Sequence, residues 1–463
     1  MITYGVLSPH PPVLIKEIGG DRCQELQATL ETMHGVSREL LASEPECIVF
    51  LTPHGNVFQD CITYLSEELE GDLGDFGQRN IRTSLPNDLE LLESIAQLAA
   101  DKGLEFIGIS PELARRHNLN VRLDHGILVP LYFLRQAGMG EIPIVAISIG
   151  LLDNHELYQF GQLIQEACNR LGRRAAIVAS GDMSHALKEE GPYRFDPAGP
   201  RFDRSIKEAL SAGDFAAILQ ISPQLRENAR ECGYPSLLIL LGAMDGYKPD
   251  KILLSYEGTF GVGYLTAGFL PGEKTGSLME LLANQHKALI AARREKESPL
   301  VRWARLNLES SVRNIKAPHI DKEMEFMLEQ RSAAFVCIKK QGQLRGCIGT
   351  FLPSYKNLAE EIAHNALAAG MQDPRFSPVT ERELADLEYS VDLLSRPESC
   401  TRDELDPKKY GVIVTAGARR GLLLPDLEGV DTVAEQLRIA CQKAGIAPQE
   451  SYSIQRFEVK RFT

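Results

Sequence analysis

The sequence predicts an α/β protein in two parts: a domain over residues 1–270 with a central, largely parallel sheet flanked by helices, then a mixed α+β domain over residues 279–463. Three observations predict it. Short apolar runs of strand character alternate with segments of helical period along the first part, the pattern of a sheet assembled from βαβ units. Three of those runs stop at a small polar residue and are followed within a few positions by a histidine. Between the two parts, Pro271-Gly272-Glu273-Lys274-Thr275-Gly276-Ser277 joins Pro, Gly and Ser to charge without an apolar period, and reads as a linker.

Length and composition agree with this division. A chain of 463 residues is expected to form two or three domains of roughly 100–200 residues each. Hydrophobic residues at 44% and charged residues at 24% are ordinary globular values. The net charge of −13 speaks against a broad nucleic-acid or anionic-membrane surface, which calls for clustered Lys and Arg. No window holds about 18 uninterrupted apolar residues, and the N-terminus lacks a basic segment followed by an apolar stretch and a cleavage site. The expectation is a soluble cytoplasmic protein without nucleic-acid or membrane partners; a homo-oligomer is compatible with it. Nine cysteines occur with no Cys-x-x-Cys pair, so neither a zinc ribbon nor a disulfide framework is indicated, and most are expected to be buried small hydrophobes.

Taken in order, residues 2–8 form a strand leading to His10, and Pro11-Pro12, which a helix interior rejects, keeps His10 in a loop. Residues 22–43 carry helical spacing through Leu26, Leu30, Met33, Val36 and Leu40, and lead to a second strand at 47–52 that ends on Pro53-His54-Gly55. A helix is expected at 88–102 and a strand at 104–109; Leu123-Asp124-His125-Gly126 precedes an apolar helix at 127–134. A buried strand at 142–148 and a helix at 155–171 lead to Ala175–Ser180, which runs out into Gly181-Asp182-Met183-Ser184-His185. A helical region at 202–219 follows, then Glu231-Cys232-Gly233-Tyr234-Pro235 ahead of an apolar helix at 236–244, and strands at 253–256 and 262–269 close the domain. The second part reads as a charged helix at 278–296, a strand at 333–339, a turn at Gln341-Gly342-Gln343, a helix at 356–370 and strands at 387–394 and 411–415.

In an open α/β sheet, ligands bind outside the carboxyl ends of the strands, so His10, His54 and His185 are candidates for one site. Two imidazoles and one carboxylate make the facial triad of non-haem Fe(II). A third histidine kept off the metal can then serve as acid and base, because its charge changes near neutrality. Glu231, at a loop-to-helix junction, and Glu257, just after a strand, are the two candidate carboxylates. Asp124 is explained as a helix N-cap; His125 has no comparable structural role. In the second part, Cys347 between Gly346 and Gly349 suggests close backbone approach and an accessible thiol, with Arg345 either depressing its pKa or binding an anion. The alternative is that the glycines serve packing and Cys347 is buried.

Ser8-Pro9-His10-Pro11-Pro12, Thr52-Pro53-His54-Gly55, Asp124-His125-Gly126 and Ser180-Gly181-Asp182-Met183-Ser184-His185, in that order, resemble the class III extradiol ring-cleavage dioxygenase catalytic subunits (LigB-like), whose pattern the Memo-type proteins largely share. The resemblance implies His10 and His54 as metal ligands, His185 as the catalytic acid and base, and His125 near the substrate. The third ligand would be Glu231 rather than Glu257. In the Memo-type branch a cysteine occurs in this region, which makes Cys232 a further candidate. The implied reaction is cleavage of a catechol-like ring by O2 at Fe(II), with zinc or copper as alternative metals; His185 takes a proton from the diol and later returns one. Arg345-Gly346-Cys347-Ile348-Gly349, followed by Asp373-Pro374-Arg375-Phe376, resembles the AMMECR-type domain over residues 279–463. Proteins of these two types are associated with a radical SAM protein in the AmmeMemoRadiSam system, which implies such a partner. Without ring cleavage, the chain would be a Memo-like metal-binding or scaffold component of that system; a third expectation is a redox module reacting through Cys232 or Cys347.

Overall fold

Strands that are buried at every position require a sheet covered on both faces, and the first half of the chain supplies several, at 47–52, 144–148 and 175–180. The computed structural model describes residues 1–340, 342–427 and 429–463, and Lys251 by its backbone alone. The chain divides into two units, Met1–Leu282 and Ala283–Thr463.

In the first unit the strands are β1 (Ile2–Ser8), β2 (Cys47–Thr52), β3 (Ile62–Leu65), β4 (Leu69–Leu73), β5 (Gln78–Leu85), β6 (Phe106–Ile109), β7 (Ile144–Ser148), β8 (Ala175–Ser180), β9 (Tyr247–Glu257) and β10 (Tyr264–Lys274). Eight of them form one sheet in the order β6-β3-β7-β2-β8-β1-β10-β9, while β4 and β5 make a separate hairpin. The expected parallel arrangement holds at the centre, where β7, β2, β8 and β1 run together; β3, β10 and β9 add antiparallel pairings, so the whole sheet is mixed. Alternate residues of the central strands enter two different cores. Leu7, Val49, Leu51, Ile177 and Ala179 pack under the helices Leu89–Lys102, Asn154–Leu171 and Tyr234–Ala243. Tyr4, Val6, Ile48, Phe50, Ala176 and Val178 pack under Gln27–Ala42 and His125–Gln136.

Register sets the site. Ser8 pairs with Ser180, and Leu51 with Ala179, so β1, β8 and β2 end at one level with β8 in the middle. The loops carrying His10, His54 and His185 therefore leave three adjacent strand ends.

Two expectations of this part are corrected. The stretch 271–277 is not all linker: Pro271 and Lys274 continue β10 and pair with Pro249 and Tyr247, across register shifts that accommodate the proline. The helical region at 202–219 is two helices, Ala198–Ala212 and Phe215–Leu219, because Gly213 takes a left-handed φ of 69° and Asp214 caps the second by accepting from Ala217 N–H. Among the described residues, no helix is long and apolar enough to cross a membrane.

The second unit contains β11 (Ala333–Lys340), β12 (Gln343–Gly349), β13 (Leu387–Leu394), β14 (Glu398–Ser399), β15 (Tyr410–Ala416), β16 (Arg419–Leu423) and β17 (Ser453–Phe462). They form an antiparallel sheet ordered β12-β11-β13-β17-β15-β16, with β14 on β17. The helices Pro299–Val312 and Leu358–Met371 cover its main core, where Trp303 Nε1 donates to the carbonyl of Ala359. Of the expected turn at 341–343, Gln341 lies outside the described residues.

The helices Asn154–Leu171 and Tyr234–Ala243 meet backbone to backbone. A Cβ on Gly161 would lie 2.0 Å from the carbonyl oxygen of Ile239, and one on Gly242 would lie 1.9 Å from that of Tyr158. Gly161→Ala or Gly242→Ala should therefore lower stability by about 1–3 kcal/mol through overpacking. Chemical denaturation followed by circular dichroism would measure it; an unchanged midpoint would contradict the crossing.

Candidate metal centre

His10 leaves β1 through Pro9, is 2% exposed, and is held at three points. Its N–H donates to Asp182 Oδ1 (3.1 Å), its Nδ1 contacts Ser180 Oγ (2.9 Å), and its Nε2 faces His54 Nε2 (2.9 Å). With the Nδ1 proton given to Ser180, Nε2 presents its lone pair to the site. His54 follows β2 in a turn whose N–H donates to Thr52 Oγ1 (3.2 Å); that hydroxyl donates to Asp124 Oδ1 (2.7 Å). Asp124 is the expected N-cap of His125–Gln136, accepting from Gly126 N–H at 2.7 Å. It thereby sets His125 beside His54, ring centroids 4.3 Å apart, and 5.3 Å from His10.

Cys232 reaches this cluster because the loop before Tyr234–Ala243 lies directly on the end of β8. A Cβ on Gly181 would fall 2.1 Å from Gly233 Cα, and the Asp182 carbonyl accepts from both Cys232 N–H (3.2 Å) and Gly233 N–H (2.9 Å). The Cys232 sulfur stands 3.8 Å from His10 Nε2. Among the described residues, His10, His54 and Cys232 form the group able to hold a metal ion, their donor atoms all within 4.8 Å of one another.

Glu231, expected as the carboxylate ligand, is not in this group. Glu231 is turned to Arg226 Nε (3.1 Å) and to the N–H of Tyr234 (2.8 Å), where it pins the start of the helix. Glu257 is farther from the role: its carboxylate accepts from the N–H and hydroxyl of Thr29, at 2.8 and 2.5 Å. His185 lies beside the cluster and outside it. Its Nδ1 donates to the Arg230 carbonyl (2.5 Å), leaving the Nε2 lone pair 4.0 Å from Asp182 Oδ2. Asp182 also stands 3.8 Å from His10 Nε2. Sequence reading passed over Asp182 as a site residue; the signal available was a carboxylate two residues past the end of a strand buried at every position.

The electrostatics favour neutral donors. Burial, followed by the neighbouring His54, pushes the His10 imidazolium well down. Burial and His125 hold His54 at about 4 against the opposing pull of Asp124. Burial likewise lowers His125 and His185. It raises the Cys232 thiol, with Asp182 adding to the effect, and pushes Asp182 itself up to about 7. Two Nε2 atoms facing each other with no room for two protons, and a thiol needing a cation to ionise, fit a metal better than they fit protons.

A family model described as the catalytic LigB subunit of aromatic ring-opening dioxygenase matches residues 4–267, and the AMMECR1 model matches residues 301–463. The chain belongs to the LigB family. Its LigB domain is fused to an AMMECR1 domain, and the same two-domain length recurs in a Clostridium acetobutylicum protein that is 40% identical over 458 residues, 98% of either chain. A Thermotoga maritima protein is 55% identical over 171 residues, 36% of this chain and 98% of its own. The crystal structure of uncharacterized protein PH0010 from Pyrococcus horikoshii is 30% identical and covers 36% of this chain and 91% of its own, with a TM-score of 0.33.

Cys232→Ser should lose most bound metal, whereas Glu231→Gln should retain it and cost about 1–3 kcal/mol of stability, since Arg226 loses its charged partner. Metal analysis alongside thermal unfolding separates the two; metal loss in Glu231→Gln with retention in Cys232→Ser would reverse the assignment.

Proposed function

We propose that the LigB domain is a metal-dependent oxidoreductase acting on a small aromatic diol with O2, its metal held by His10, His54 and Cys232. The observation that carries this reading is the convergence of two imidazole Nε2 atoms and one sulfur behind the ends of β1, β8 and β2, with His10 buried, Cys232 half-buried and His54 open to solvent. A bound Fe(II) or copper supplies one-electron chemistry and acidifies a coordinated hydroxyl.

The chain's own residues supply the rest. His185, its Nδ1 proton committed to the Arg230 carbonyl, accepts a substrate hydroxyl proton at Nε2 and later returns it. Asp182 keeps the His10 backbone in place and gives His185 a polar neighbour. His125, set by its own N-cap, lines the side of the substrate next to His54.

A second reading is favoured by Cys232. A thiolate is softer than the carboxylate of the facial triad and suits copper or zinc. On this reading the domain is a Memo-like metal-binding component that works with a radical SAM partner and cleaves no ring.

Protein purified anaerobically and loaded with Fe(II) should take up O2 with some member of a catechol panel. His185→Gln should lower that kcat by about 10²–10⁴ while keeping its metal. No uptake across the panel by fully loaded protein, together with copurification of a radical SAM protein that persists in His185→Ala, would decide for the second reading.

A further inference from the structure

The AMMECR1 domain carries a second chemically distinctive cluster. Cys337 on β11 and Cys347 on β12 are direct antiparallel partners. The N–H of Cys347 is donated away from β11, to Asp373 Oδ2 at 2.9 Å, and its carbonyl accepts from Arg375 Nη2 at 3.2 Å. The two cysteines are therefore a non-hydrogen-bonded pair, the geometry that brings Cα atoms to about 4.5 Å and side chains closest. That separation lies inside the range of roughly 4.4–6.8 Å that a disulfide spans without backbone movement. Both residues are partly exposed.

Their surroundings differ. Cys337 lines a cavity of about 720 Å³, whose wall also includes Lys339, Ser390 and Arg461 from the strands and Arg293 and Lys296 from the helix Leu278–Lys296. A volume of this size admits a small organic molecule. Cys347, its cross-strand partner, does not line the cavity. The neighbouring Cys347 thiol, helped by Lys339 and Arg461 and opposed by burial, holds the Cys337 thiol down to about 7; the same pairing and burial push Cys347 up. A thiol with a pKa near ambient pH is the best attacking group in exchange. Arg345, the cation expected to act on Cys347, is instead engaged by Glu383 through two contacts of 2.9 and 3.2 Å.

We propose that Cys337 and Cys347 are a dithiol–disulfide redox couple whose oxidant is a small-molecule disulfide admitted by this cavity. Cys337 thiolate attacks one sulfur of the disulfide, whose S–S bond breaks and releases one thiol, with its proton taken from solvent. Cys347, once deprotonated, attacks the Cys337 sulfur of the mixed disulfide and expels the second thiol. The protein loses two protons and two electrons as its two thiols become an S–S bond, and the small disulfide takes them up to become two thiols.

The test uses the reduced full-length chain with excess glutathione disulfide as the probe at neutral pH, followed by peptide mapping. A linked Cys337–Cys347 peptide is expected in the native sequence. Cys347→Ser should hold a stable glutathione adduct on Cys337, and Cys337→Ser should acquire one on Cys347 about tenfold more slowly or worse. A native chain that shows no Cys337–Cys347 link overturns the proposal. A link that forms with hydrogen peroxide and not with the disulfide overturns the assigned oxidant.

Discussion

The carbonyl of Asp182 accepts two hydrogen bonds from a loop fifty residues later, and the candidate metal centre depends on that contact. It requires Gly181 and Gly233 to touch without side chains between them, which brings the Cys232 sulfur to the mouth of β8 and turns Glu231 to Arg226. A Cβ at either glycine would push the loop outward and leave His10 and His54 without their third donor. The glycines are thus part of the site although neither touches its donor atoms.

The sheet explains why so many polar groups tolerate burial there. Both faces of β1, β2 and β8 are committed to apolar cores, so the strands have only their ends to offer for chemistry. Each polar group behind those ends has a partner that orients it: Ser180 for His10, Thr52 and Asp124 for the turn of His54, Arg230 for His185. Four imidazoles can crowd together because burial and their mutual repulsion keep them neutral.

In the AMMECR1 domain, strand alternation divides the labour of a short motif. Gly346 has no space for a Cβ, which would lie 2.0 Å from the carbonyl oxygen of Ala369, and Gly349 is covered by the ring of Phe335. The packing explanation therefore accounts for the glycines. It does not extend to Cys347, which is partly exposed. Of the nine cysteines, Cys23, Cys47, Cys61 and Cys168 are buried and the other five are partly exposed, against the expectation that most are buried.

Much of the first domain was legible from the chain alone. Wholly apolar runs marked the central strands, Asp124 marked a cap, and the histidines behind three strand ends marked the site, because each of these signals is local and set by one residue's chemistry. The short strand β3 was not legible, since its pairing partners β6 and β7 lie far away in sequence. The choice between Glu231 and Cys232 could not be made from sequence either. Both are competent donors one position apart, and only the contact of Gly233 with Gly181, together with the guanidinium of Arg226, selects which one faces the histidines. The same holds for Cys337 and Cys347: the sequence supplies two ordinary cysteines ten residues apart, and the antiparallel register of β11 and β12 makes them neighbours. Residue types and strand ends were determined by the sequence; which side chains share a site was decided by register and backbone contact, which are properties of the fold and of no single segment.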